Sequence, residues 1–231
     1  MVWSRLRRGR TAAPRLPLPG PCWRRRHTLR TERLLLYTPE TRLDLTAAVA
    51  AGSDPAAQRW LAWNDERVIA DAGVREGLLR LRPGDAETMR ASRLFTNLLN
   101  RPYEPDPDEA VLLIGVRADT GTYAGVVMMH PGTGEIDGWT APEARGLGLG
   151  TEMFRAAVVL GHAHLGLPTV LAGLEPANTA CARALAKAGF VAAEGPPRHT
   201  HPNGSEVDAR WLRHTVTAPL TRCPGAAPLP A

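Results

Sequence analysis

The sequence predicts an α/β (α+β) domain with one mixed, mostly antiparallel central sheet flanked by helices. Three observations carry this. Residues 110–117 (AVLLIGVR) and 122–129 (TYAGVVMM) are strong strand signals, joined by Ala118-Asp119-Thr120-Gly121 into a hairpin. A glycine-rich turn, Arg145–Gly150, then sits between a strand and a helix. Beyond it the pattern alternates strand and helix before ending in two strands, so antiparallel hairpins lead into β-α-β crossovers on the same sheet.

The elements follow in order. Order is expected from near Thr31, with residues 1–28 a disordered Arg-rich tail, 29–214 the domain and 215–231 a disordered Pro/Ala-rich tail. Residues 33–37 are a short apolar strand stopped by Pro39. Residues 41–52 place Leu43, Ala47 and Ala50 on one helical face and close on Gly52. Asp54-Pro55 opens a second helix with Trp60 and Trp63 as apolar anchors, expected in the core or a pocket wall. Residues 64–84 carry no clear period, and a helix is expected from Asp85 to Asn100. After the hairpin, 134–140 forms a further strand. Leu149, Met153, Ala156, Ala157 and Leu160 then share one helical stripe. Residues 168–174 read as a buried strand. A helix capped by Asn178 or Thr179 ends at Gly189, Phe190 begins a strand, and 206–213 alternates as a last one.

Composition narrows the function. The chain carries +5 overall, but residues 1–30 hold nine Arg and no acid, so the remainder is acidic at −4. Nucleic acid is therefore disfavoured as a partner, except through the tail. The apolar window 155–175 is broken by Arg155, His162, His164 and Pro168, which excludes a membrane span there. Three cysteines, with Cys22 and Cys223 in the expected tails, make no disulfide framework and favour a reducing cytoplasm. His199 and His201 lack metal-binding partners in sequence, so no metal is expected.

The informative motif is Arg145-Gly146-Leu147-Gly148-Leu149-Gly150. Glycines allow close backbone approach, and the first amides of a helix are unpaired at the positive end of its dipole. Together they form a pyrophosphate cradle, with Arg145 adding charge. A P-loop would need Gly-Lys-Ser/Thr. A dinucleotide fingerprint needs one more residue before its last glycine and a β-α-β start, whereas hairpins precede this turn. Arg-x-x-Gly-x-Gly fits the pyrophosphate loop of acyl-CoA-dependent N-acetyltransferases without adjustment.

Several segments match one family in order: Leu29–Leu36, Glu135–Trp139, Pro142–Glu152 and Glu175–Phe190. The chain resembles the GNAT superfamily (Gcn5-related N-acetyltransferases), most closely its RimJ/RimL-like branch, over roughly residues 29–213. The resemblance is weak over 64–109. It implies a V-shaped CoA cleft between two splayed parallel strands, 134–140 and 168–174. In that cleft the pyrophosphate would lie on Arg145, Gly146, Leu147, Gly148, Gly150 and Thr151. The pantetheine arm would pair with Trp139 and Thr140, beside a β-bulge whose free amide polarises the thioester carbonyl. Asn178 would contact pantetheine. The co-substrate implied is acetyl-CoA, with no metal. The acceptor is an amine, on a small molecule or at a peptide N-terminus, and a homodimer is an open option.

One departure matters. Many members place a Tyr seven residues after the Asn to protonate the leaving thiolate, and here that position is Leu185. The branch often carries Ser three residues after the Asn, and here that is Cys181, on the helical face of positions 178, 182 and 185. Cys181 is thus the candidate proton donor, or else a small buried apolar residue. Glu135 and Asp137, one strand period apart on one face, are the candidate bases; Glu175 is a third, and His130 could reach the acceptor. The resemblance favours Glu135. Deprotonating an alkyl ammonium at pH 7 costs about 4.6 kcal/mol and a peptide α-amine about 1.4 kcal/mol, so a base matters most for a lysine-like acceptor. A second reading, from another class, is a CoA-binding sensor without turnover.

Overall fold

The computed structural model describes residues 18–23, 26–80, 103–105 and 110–216. The helix expected over 85–100 lies outside these residues. Among the described residues nine strands form one sheet in the order β1 (Leu18–Trp23), β2 (Arg26–Arg30), β3 (Leu34–Tyr37), β4 (Val111–Arg117), β5 (Tyr123–His130), β6 (Glu135–Thr140), β7 (Thr169–Leu174), β11 (Arg210–Thr215), β8 (Val191–Ala193). Every neighbouring pair is antiparallel except β6 and β7. The expected start of order moves upstream, because β1 and β2 pair from Leu18 and carry residues assigned to the tail, Cys22 among them. What marks this edge is β2: Leu29 is wholly buried and His27 nearly so, an inward alternation that the surrounding arginines hide.

Helices cover both faces. α1 (Arg42–Gly52) starts with a capping box, Thr41 and Asp44 each accepting the other's amide. Its alanines pack with Ile114, Val116 and Val126 on one side of the sheet. α2 (Pro55–Leu61) is capped by Asp54, and α3 (Ala72–Leu79) by Asp71. On the other side α4 (Leu149–Val159) sinks its predicted stripe into the main core, and its last turn widens into a π-helical segment, Leu160–His164. α5 (Thr179–Lys187) follows β7.

The last strand expected over 206–213 is two strands. Glu206–Asp208 (β10) pairs with β9 (Arg198–Thr200) in a separate hairpin, and only from Arg210 does the chain join the main sheet. The alternation runs through Ala209 without a break, so the pattern conceals the change of sheet.

Candidate active site

β6 and β7 register only at Glu135↔Leu171, supported by a Leu171 amide donating to the Gly134 carbonyl at 2.8 Å. Beyond that point the strands part. Along the opening lie two cavities. One, of about 580 Å³, is bordered by Thr140, Arg145, Gly146, Gly148, Gly150 and Thr151. The other, of about 370 Å³, is bordered by His130, Asp137, Glu175 and His201, with Trp60 and Trp63 as an aromatic wall. Gly138, Trp139, Asn178 and Cys181 border both, so the cavities meet there.

The glycine turn has the conformation its sequence implies. Gly146 and Gly148 take φ of 73° and 78°, and Gly148 is the N-cap of α4. A glycine cap offers no side-chain acceptor, so no side chain caps the first turn of α4; the Thr151 amide donates to the Gly148 carbonyl at 3.2 Å, and the turn sits at the positive end of the dipole. Arg33 props the turn from behind. It donates from Nη1 to the Leu147 carbonyl at 2.8 Å and from Nε to Glu152 at 2.5 Å. The Leu147 side chain is exposed and borders neither cavity.

Arg145 differs from the expectation. Its guanidinium grips Asp54, with Nη1 at 3.2 Å from Oδ1 and Nη2 on Oδ2, while Nη2 also donates to the Thr140 carbonyl at 3.2 Å. The extra positive charge therefore comes with a counter-ion. Burial alone would raise the Asp54 carboxyl, but Arg145 and the amides of Ala56 and Ala57 outweigh it and hold the group below its ordinary value.

β6 also departs from the implied geometry. Its register with β5 runs from His130↔Glu135 to Gly125↔Thr140 without a shift, so no bulge interrupts it. What frees its outer edge is the divergence of β7. Gly138 is required here, because a Cβ would stand 2.2 Å from the Val126 carbonyl. Trp139 is fixed by its indole N–H, which donates to Ala48 O at 2.9 Å, and by an edge-on contact with Trp63 at 4.9 Å.

Asn178 caps α5, its Oδ1 accepting the Cys181 amide at 3.1 Å. Burial pushes the Cys181 thiol up to about 11, which keeps it a neutral S–H. Leu185 is buried beneath it and borders the smaller cavity.

Of the two same-face carboxylates, Asp137 borders the cavity and Glu135 does not. Glu135 stands where β6 and β7 still pair; Asp137 stands beyond their parting. His130 Nε2 lies 2.9 Å from Asp137 Oδ2, and this hydrogen bond raises the imidazole above its ordinary value against partial burial, with Glu135 adding to the effect. Sequence reasoning missed a second pair: His201 Nε2 lies 3.4 Å from Glu175 Oε1, and these side chains are only 9% and 14% exposed. The separate β9–β10 hairpin brings His201 there, and nothing local in the sequence announces it.

A family model described as an acetyltransferase (GNAT) domain matches residues 33–191. No curated protein matches. Among solved structures, a GNAT-family acetyltransferase from Bacillus anthracis is 18% identical, with TM-score 0.53, covering 81% of this chain and 98% of its own. A spermidine N-acetyltransferase from Vibrio cholerae, solved with CoA and spermine, is 14% identical, with TM-score 0.52 and coverages of 79% and 95%. A ribosomal-protein-S5-alanine acetyltransferase from Vibrio fischeri is 15% identical, with TM-score 0.51 and coverages of 81% and 96%. The matched span exceeds half of the chain and holds the glycine turn, the parted strands and the α5 cap, and on that ground the protein belongs to the GNAT acetyltransferase family.

Proposed function

We propose that this acetyltransferase moves an acetyl group from acetyl-CoA to a primary amine by direct attack, without a covalent enzyme intermediate, in the manner of the RimJ/RimL-like branch. One observation carries the reading. An uncapped helix N-terminus, flanked by two left-handed glycines, borders a cavity that continues past Asn178 and Cys181 into a second one bearing paired acid–base groups. The donor set suits a diphosphate: backbone amides, the α4 dipole and Arg145. Trp139, Thr140 and the Asn178 side chain line the way from there to the junction, where a thioester would lie.

At the junction the Cys181 S–H would donate a hydrogen bond to the departing thiolate. A thiol held near 11 is a weaker acid than an ordinary thiol near 8.5, so Cys181 contributes a hydrogen bond rather than a complete proton transfer. We assign the first deprotonation of the incoming ammonium to Asp137 acting through His130, in place of Glu135, because Asp137 and His130 both border the acceptor cavity. Two acceptor kinds fit this fold, a small amine and a peptide N-terminus; the spermidine and ribosomal-protein enzymes that share it support each in turn.

The test is thiol release from acetyl-CoA against a panel of alkylamines, polyamines, aminoglycosides and N-terminal peptides, with CoA binding measured separately by calorimetry. Micromolar CoA binding together with acceptor-dependent release is expected. Absence of CoA binding, or binding with no release across the panel, refutes the assignment.

A further inference from the structure

We propose that His201, oriented by Glu175, is the group that takes the second proton from the attacking nitrogen and passes it to the CoA thiolate. The inference rests on the acetyl-transfer reading above.

Proton balance creates the need. An ammonium acceptor loses one proton before it attacks. When its nitrogen bonds to the thioester carbon, that nitrogen becomes positive and must shed another, its N–H electron pair staying on nitrogen. The C–S bond then breaks with its pair on sulfur, and the thiolate takes up one proton. The products are an amide, CoA thiol and one proton released to solvent. A single group that accepts from nitrogen and gives to sulfur completes the sequence. An imidazolium does this well, since it is ordinarily a stronger acid, at about 6.5, than a thiol at about 8.5. Cys181, pushed up to about 11, does not.

Geometry selects His201 over His130. The His130 and Asp137 side chains are 44% and 48% exposed, suited to handing a proton to solvent. His201 and Glu175 are almost enclosed, suited to keeping one. Glu175 directly follows β7, the strand whose parting from β6 makes the cleft, and stands three residues before Asn178 at the junction of the cavities. The Glu175 carboxylate 3.4 Å from Nε2 favours a proton on that nitrogen, which leaves the lone pair of His201 on Nδ1. The hairpin is also held in place: the Asn203 amide donates to the Ala62 carbonyl beyond α2 at 3.1 Å, and the His201 amide to Ser205 O at 2.8 Å. The charged and titratable neighbours are Glu175 on the β7–α5 turn, His199 on β9 with its ring 5.6 Å away, and Asp137, His130 and Arg67 around the same cavity.

The experiment uses the full chain, acetyl-CoA and whichever amine of the panel gives the fastest thiol release. For His201→Ala a loss of kcat of about 100-fold or more is expected, with CoA affinity unchanged and partial rescue by added imidazole. Glu175→Gln, which removes the orienting carboxylate, lowers kcat about tenfold and leaves the KM for acetyl-CoA unchanged. His201→Gln, which keeps a polar side chain of similar reach, shows whether the hairpin alone suffices. Wild-type turnover with full kcat in His201→Gln, or loss without imidazole rescue and with unchanged kcat in Glu175→Gln, overturns this proposal and leaves the acetyl-transfer reading standing. Absence of wild-type release removes both.

Discussion

Lowering the pH from 7.5 toward 4 should unfold this protein through a histidine far from the cleft. His27 on β2 is 2% exposed, and its Nδ1 lies 3.1 Å from Nδ1 of His164, in the π-helical turn after α4. Burial first, and the neighbouring His164 second, lower the His27 pKa to about 4 from an ordinary 6.5. The neutral ring is thus favoured by folding, while the unfolded chain takes up the proton. Stability from this group is complete above pH 6.5 and is lost as pH falls from 6.5 to 4. The linkage integral gives about 2 kcal/mol lost by pH 5 and about 3 kcal/mol by pH 4, a large share of a typical domain's stability. His164, His162 and His214 are lowered by burial as well and add in the same direction. His130, raised by Asp137, opposes them, but at a half-exposed site where solvent screens the pair. Urea unfolding followed by tryptophan fluorescence at pH 7.5, 6, 5 and 4.5 measures the slope, and His27→Gln should flatten it by about 2 kcal/mol at pH 5. A wild-type stability constant from pH 7.5 to 5, or an unchanged slope in a folded His27→Gln, refutes the reasoning.

Two further outcomes are expected. Gly148→Ala forces a side chain into a left-handed φ of 78° at the mouth of α4, costing about 1 kcal/mol in thermal unfolding and weakening CoA in calorimetry, whereas Gly132→Ala, which meets nothing within 4 Å, should change neither. Trp139→Phe leaves the buried Ala48 carbonyl without its indole donor, which should cost about 1–3 kcal/mol of stability by denaturant titration and raise the apparent KM for acetyl-CoA.

The hairpins, the glycine turn and the parallel pair were legible because each rests on neighbours in sequence: strand runs bounded by turn residues, and three glycines ahead of an apolar helical stripe. What escaped depends on distance along the chain. Period-two parity puts Glu135 and Asp137 on one face, but depth along the face depends on where β7 diverges, and no residue of β6 records that. Asp54 reads as the cap of α2; its second role, holding Arg145, comes from 91 positions away. His201 lies in a segment whose alternation continues smoothly into another sheet, so its place opposite Glu175 exists only after β9 and β10 fold back. β2 was hidden by its arginines, since Arg26 and Arg30 flank inward-facing His27 and Leu29.

The Asp54 carboxylate serves two masters. It ties down the amides that begin the helix carrying Trp60, and it anchors the arginine at the edge of the proposed diphosphate cradle. An anion that drew Arg145 toward itself would loosen a tether on a helix whose Trp60 borders both cavities, and a guest that shifted that helix would tug in return on the arginine. Any such coupling would be reciprocal, each ligand altering the other's affinity by the same factor through one shared side chain.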